Sequence, residues 1–374
     1  MNIQEPVLKN DEKIVFRLRA LYRSLGYTQY KMSKFEEYDL YAGNKDFLVS
    51  DNVITFTDTN GRLMALKPDV TLSIIKNSQD GPGVQKVFYS ENVYRVSGSS
   101  RSYREIMQTG LECMGNIDDY AITEVLMLAV KSLERISPDF VLDISHLDIV
   151  AAAIDALGVN EALRAALLVA VGEKNLHGID ELMTKAGLSA QLAEPLRRLV
   201  TLQGAPDRVL PALHGLVSDE KALQAVERLE RIIQALTAWG CGDKVRIDFS
   251  VINDMNYYNG IVFKGFVNGV PAGVLSGGQY DRLMRKMGKR ADAIGFAVYL
   301  DLLERLCEET PLFDVDTVLL YDETTELQAL TKAVETLSAT GESVTAQRVV
   351  PPKMRYRRLV RLTKGEVEIL EEHA

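Results

Sequence analysis

Short β-type runs, broken by a single long helical stretch and resumed after it, limit what this chain can fold into. Phe140, Leu142 and Ile144 alternate as in a strand. From Leu147 to Trp239 the sequence becomes rich in leucine and alanine, with helical periodicity broken at Gly158, Gly187 and Gly204-Ala205-Pro206. The last helix of this stretch carries Leu223, Val226, Leu229, Ile233 and Leu236 on one face, and Trp239-Gly240-Cys241-Gly242 closes it. Val245, Ile247, Phe249 and Val251 then alternate with Arg246, Asp248 and Ser250. A strand repeats every two residues and a helix every 3.6, so the change of period marks a helical insertion in a β-rich domain.

The flanking segments read the same way. Ile14, Leu18, Leu21 and Leu25 give an amphipathic helix stopped by Gly26, with a strand near 27–32. Residues 53–57 and 63–66 form a hairpin around Asp58-Thr59-Asn60-Gly61, and a helix begins near Thr71. Strands are expected over 84–95 and 105–114, separated by the turn-formers Ser97 to Ser100. Asp118 or Asp119 caps a helix that ends at Ser137-Pro138. Further strands fall at 260–266 and 273–275, joined by Asn268-Gly269. After a linker at 311–316, a β-α-β piece (317–321, 327–337, 343–349) and two short strands (359–362, 367–370) follow. Antiparallel hairpins argue against a doubly wound parallel sheet, and no glycine-rich phosphate loop is present. The expected fold is α+β: an antiparallel sheet flanked by helices (1–146 and 244–310), a helical insertion (147–243) and a small C-terminal α/β domain (311–374).

Composition narrows the function. Of 374 residues, 47% are hydrophobic and 25% charged, which fits a globular protein without a membrane span. The start, Met1 to Pro6, has neither the basic nor the apolar stretch of a signal peptide. Cys113, Cys241 and Cys307 show no metal or disulfide spacing, so the expectation is a cytoplasmic protein. The net charge of −9 favours a small-molecule or protein partner over a phosphate backbone. Lys286 to Arg290 reads as solvated surface; the denser run Lys353, Arg355, Arg357, Arg358 and Arg361 is open to either a solvated or a partner-facing reading. The four histidines, His146, His177, His214 and His373, have no metal-ligand spacing.

Four polar clusters stand at or beside strand ends: Lys67, Asp69 and Thr71; Arg95 and Arg104; Gln108 and Glu112 with Gly110 between; and Tyr257-Tyr258-Asn259-Gly260 with Ser276-Gly277-Gly278-Gln279-Tyr280-Asp281. Gln108, Gly110 and Glu112 occupy alternate strand positions and share one face, with the glycine opening space. An amide and a carboxylate there suit an ammonium or imidazole ligand, and the arginines suit a carboxylate or phosphate. Taken singly, each residue also fits a solvated sheet face, a surface ion pair or a core aromatic.

The motifs select between these readings. Arg104-Glu-Ile-Met-Gln108-Thr-Gly110-Leu-Glu112-Cys-Met-Gly115 resembles the second signature motif of class II aminoacyl-tRNA synthetases in its histidyl form. Leu66-Lys67-Pro68-Asp69-Val-Thr71 is similar to the histidyl L-R-P-E-x-T, residues 257–263 to its Y-Y-T-G-x-x-F, and residues 276–281 to its G-G-R-Y-D. Gly295-Phe296-Ala297 begins the third motif. The resemblance spans about residues 9–307 and implies a class II synthetase-like sheet. It implies that Asp69, Thr71, Arg95, Gln108, Glu112, Tyr258 and Tyr280 surround a histidine-sized ligand, with the two tyrosines toward the imidazole.

The departures point away from catalysis. The third motif, G-F-A-x-G-x-E-R, ends in an arginine that holds ATP phosphates, and here Leu302 takes its place. The histidyl-specific arginine before Y-Y-T-G aligns with Asn253. Losing one preorganised cationic donor costs about 3 kcal/mol in a transition state, and losing two should abolish adenylation. In smaller departures, Ser33 replaces the proline closing the first motif, Ser97 stands near the second-motif glutamate, Asp69 replaces a glutamate, and the C-terminal region is shorter than an anticodon-binding domain. A surviving pocket without its arginines resembles the regulatory subunit family of ATP phosphoribosyltransferase. That resemblance implies a homodimer within a hetero-octamer containing the short-form catalytic subunit, histidine as feedback ligand, and no tRNA, cofactor or metal. The alternatives are a divergent histidyl-tRNA synthetase and a synthetase-like ligase with another substrate.

Overall fold

The computed structural model describes residues 9–45, 48, 53–81, 83–96, 102–217, 219–252, 257–306 and 312–373. The chain divides into two compact units, Met1–Cys307 and Glu308–Ala374.

The first unit opens with α1 (Asn10–Ser24), β1 (Thr28–Gln29), β2 (Phe35–Glu37), α2 (Tyr38–Ala42), β3 (Thr55–Thr57), β4 (Leu63–Leu66) and α3 (Thr71–Asn77). The β3–β4 turn forms as its sequence requires. Asp58 Oδ1 accepts from the Asn60 and Arg62 amides, each at 2.8 Å, and Gly61 takes φ +81°, which a residue with a Cβ rarely adopts. Next come β5 (Gln85–Val96), β6 (Tyr103–Gly115), α4 (Asp119–Ile136) and β7 (Phe140–His146). Asp118 caps α4 through the Ala121 amide at 2.8 Å, and the helix stops at the residue before Ser137-Pro138.

The helical stretch consists of α5 (Leu147–Asp155), α6 (Glu161–Gly172), α7 (Leu176–Lys185), α8 (Glu194–Thr201), a two-residue strand β8 (Gln203–Gly204), α9 (Pro206–His214) and α10 (Glu220–Ala238). Then follow β9 (Val245–Asp248), β10 (Asn259–Val267), β11 (Leu275–Gln279), α11 (Asp281–Lys286) and β12 (Asp292–Tyr299).

Among the described residues nine strands form one sheet in the order β1-β5-β6-β12-β11-β10-β7-β9-β8. Its centre, β5 to β7, is antiparallel throughout, and the pairs β1/β5 and β7/β9 at the margins are parallel. Register sorts the side chains to two faces. Phe88, Leu111, Phe296, Gly277, Phe263 and Ile144 lie in one row across the sheet. That row meets Leu18 and Tyr22 of α1, Val125 and Leu133 of α4, and Leu167, Leu196, Leu229 and Ile233 of the helical stretch in one apolar cluster. The insertion and the sheet thus share a core. The neighbouring rows, Val87–Glu112–Gly295–Gly278 and Tyr89–Gly110–Ala297–Ser276, face the other way.

One strand lies elsewhere than its sequence suggests. Residues 273–275 read as a strand and the following glycines as its end, yet β11 begins at Leu275 and runs through Gly277 and Gly278. Glycine usually weakens a strand, but it also marks close approach. A Cβ at Gly277 would lie 2.3 Å from the Gly295 carbonyl oxygen and 2.7 Å from the Phe263 ring. The space is taken by Phe263 and Phe296, which meet edge-on at 6.1 Å.

The second unit contains β13 (Val315–Leu320), α12 (Leu327–Ser338), β14 (Val344–Gln347), β15 (Tyr356–Thr363) and β16 (Glu366–Glu372), in sheet order β14-β13-β15-β16. Ala333 of α12 packs on Leu319, Val360 and Leu362. Its arginines find acids within the unit: Arg355 pairs with Asp314 at 2.7 Å, and Arg357 and Arg358 with Glu342. Exposed pairs of this kind contribute little to stability, but they answer part of the basic run locally.

Candidate functional site

On the face of the sheet away from the shared core lies a cavity of about 370 Å³. Its floor is Gly295, Ala297 and Ser276 of β12 and β11 with Gln108 and Glu112 of β6, and its walls come from α3, β5 and the chain around Tyr257 and Tyr280. Asp69, Thr71, Arg95, Gln108, Glu112, Tyr258 and Tyr280, the seven residues singled out in the sequence, all line it. Of the two altered positions, Leu302 is half-buried against the apolar core and is not among the lining residues. Asn253 lies outside the described residues, as do Ser97 to Ser100.

Glu112 is the centre of the cavity. It is 2% exposed. Tyr280 Oη donates to its Oε2 at 2.6 Å and Thr71 Oγ1 to its Oε1 at 2.7 Å. The carboxyl lies over Gly295, its direct partner across β6 and β12, where a Cβ would stand 1.7 Å from Oε2. Burial pushes the Glu112 pKa up to about 8; the two hydroxyls oppose this shift and the nearby Asp69 adds to it. Burial also raises Asp69, whose Oδ1 accepts the Leu72 amide at 2.9 Å at the start of α3, while Arg95 holds it down. Two buried acids near one another create a demand for a cationic or proton-donating ligand.

The rest of the cavity is complementary. Gln108 is 3% exposed, and its Nε2 has no partner among the described residues, so a donor is free for a ligand. Arg95 Nε donates to the Pro68 carbonyl at 3.0 Å, and among the described residues Arg95 makes no ion pair. Tyr257 packs between Tyr258 and Tyr280, with ring centres at 4.5 and 5.9 Å. This aromatic wall suits a flat ring.

Other sequence candidates do structural work. Lys67 is 1% exposed and pairs with Glu91 at 2.5 Å, outside the cavity. Lys67→Ala should therefore lower stability by about 3 kcal/mol in urea titration, because Glu91 would be left partly buried without its partner. Arg104 is exposed and lies 3.8 Å from Asp301. Gly110 does not leave room for a ligand as its sequence suggested: a Cβ there would meet Tyr89 Oη at 2.7 Å and the Phe296 carbonyl oxygen at 2.2 Å. Tyr89, opposite Gly110, occupies that room and lines the cavity. Sequence reading missed it, because only strand register brings the two together. Tyr299 was also missed, although it stands in the third-motif run where G-F-A-x-G has glycine.

A large antiparallel sheet carrying these motifs, with helices packed on one face and an amino-acid-sized cavity on the other, is the class II aminoacyl-tRNA synthetase fold. The histidyl-tRNA synthetase family profile matches residues 2–303, and the chain belongs to that family. It is similar to the ATP phosphoribosyltransferase regulatory subunit of Ruminiclostridium cellulolyticum, with 27% identity over 327 residues, 84% of this chain and 77% of that one. Among solved structures it resembles a protein from Bacillus halodurans described as an ATP phosphoribosyltransferase regulatory subunit/histidyl-tRNA synthetase. The TM-score is 0.77 at 25% identity, covering 94% of this chain and 93% of the other. A chain in the ATP phosphoribosyl transferase complex from Thermotoga maritima shares the fold, with a TM-score of 0.61 at 20% identity over 78% of this chain and 97% of that one. No helix among the described residues is long and apolar enough to cross a membrane.

Proposed function

We propose that this chain is a regulatory subunit of ATP phosphoribosyltransferase that binds free histidine in the cavity around Glu112 and does not activate it. The observation that carries this reading is a contrast between the cavity and the third-motif position. The seven residues matched to the synthetase motifs line one cavity around a buried carboxyl, while the third-motif position, where that family has a phosphate-holding arginine, is Leu302, packed against the core outside the cavity. The imidazole lies against Tyr258 and Tyr280, and the ammonium and ring nitrogens meet Glu112, Asp69, Thr71 and Gln108. Arg95 takes the carboxylate. The similarity to regulatory subunits supports the same reading.

Regulation then follows from linkage. Histidine bound here can inhibit a partner enzyme only if it binds one assembly state better than another. The proposed assembly is a homodimer joined to short-form catalytic subunits in a hetero-octamer. In the test, purified chain is mixed with a short-form phosphoribosyltransferase. Activity is expected in the mixture alone, and histidine is expected to suppress it. The same chain with histidine, ATP and pyrophosphate should give no exchange; exchange at a synthetase-like rate would establish the alternative, a divergent histidyl-tRNA synthetase.

A further inference from the structure

On the β12 and β11 side the cavity floor is small-sided in two successive rows and then abruptly is not. Beside Glu112, β12 and β11 carry Gly295 and Gly278, and in the next row they carry Ala297 and Ser276, while on the β5 side Tyr89 covers Gly110. In the third row Gln108 faces Tyr299, four residues along β12 from Gly295. Four residues of strand span about 13 Å, which accommodates a free amino acid between the Glu112 end and the Tyr299 end. Tyr299 lines the cavity beside Arg95, whose charge acts on its hydroxyl. The strand is fixed there, since the Tyr299 amide donates to the Val274 carbonyl at 2.9 Å.

We propose that Tyr299 is the specificity-determining stop of this site: its ring closes the Arg95 end, so that the cavity admits a free amino acid and refuses one extended at its carboxyl group. This rests on the amino-acid reading above and adds to it a physical reason for the absence of activation. An aminoacyl adenylate is an amino acid so extended, and it needs the floor that Tyr299 covers. A regulatory site gains from the stop, because it reports the free amino acid without interference from its activated or peptide-linked forms. The ring is the operative part, so the hydroxyl is dispensable.

The probes are histidine and histidyl-sulfamoyl-adenosine, a stable mimic of the adenylate, titrated calorimetrically into the full chain. Wild type should bind histidine and bind the mimic at least about tenfold more weakly. Tyr299→Ala should gain about tenfold or more for the mimic with histidine affinity little changed, and Tyr299→Phe should behave as wild type. Wild type binding the mimic as tightly as histidine would overturn the proposal without any variant being made. So would a Tyr299→Ala protein that binds histidine yet gains nothing for the mimic. If wild type binds the mimic's relative histidine not at all, the amino-acid reading itself falls, and this inference with it.

Discussion

Replacing Glu112 with glutamine should weaken histidine binding by about a hundredfold, the equivalent of one charge-assisted hydrogen bond, while leaving the chain folded. The carboxyl is the residue on which Tyr280, Thr71 and the opposing glycine converge. Glutamine keeps its shape and loses its charge. Glu112→Ala should be at least as severe. Unchanged affinity in a calorimetric titration would remove the cavity from consideration as the histidine site.

The same group sets a pH dependence whose direction can be stated. In the folded protein the Glu112 pKa is about 8, against an ordinary value of 4.5. Between those values the folded chain holds a proton that the unfolded chain has released. Stability from this group is therefore complete below pH 4.5 and is lost as pH rises through 8. Glu112→Gln resembles the protonated form at every pH, so it should melt with wild type at pH 5 and above wild type at pH 9. A cationic ligand reverses the preference by stabilising the carboxylate. Binding at pH 7 should thus release a proton, detectable as a dependence of the calorimetric heat on the buffer's ionisation enthalpy. A variant that lost both stability and binding at all pH values would show Glu112 to be a packing residue only.

Gly295→Ala is expected to be the most disruptive single methyl group in the site. Its Cβ would fall 1.7 Å from Glu112 Oε2 and 2.5 Å from the Leu111 carbonyl oxygen. A side chain could swing away; the backbone of the adjacent strand cannot. The expected loss is about 3 kcal/mol of unfolding free energy, together with histidine binding, since the displaced carboxyl leaves Tyr280 and Thr71. Gly81→Ala is the control: nothing stands within 4 Å of its Cβ. It should change stability by less than about 0.5 kcal/mol. Equal midpoints and slopes in urea for Gly295→Ala and wild type would contradict the packing described.

Under the proposed function, these expected effects would extend to a partner phosphoribosyltransferase. On the same proposal, a buried acid that is ionised only when histidine is bound would couple binding to local charge. If histidine fills the site in only one assembly state, that difference supplies the coupling free energy, and the catalytic subunit must alter histidine affinity by the same factor in return.

Much of the fold was present in local sequence. The period-two runs of β6, β7 and β9, the capped helix after Asp118, and the Asp58–Gly61 turn are specified by short-range rules that hold before any tertiary contact exists. The shared face of Gln108 and Glu112 follows from strand geometry alone. The motifs likewise marked Asp69, Thr71, Arg95, Tyr258 and Tyr280 in the sequence, although more than two hundred residues can separate such positions.

What the tertiary structure decided is register and burial. Pairing β6 with β5 puts Tyr89 into the space beside Gly110, and pairing it with β12 sets Gly295 beneath Glu112 and Tyr299 beside Gln108. No local pattern encodes those neighbours, because a strand's period fixes which face a residue takes but not what stands across from it. Lys67 and Glu112 show the same division: both are charged residues in a motif, and only enclosure by the rest of the chain makes one a buried ion pair and the other a carboxyl that keeps its proton near neutral pH.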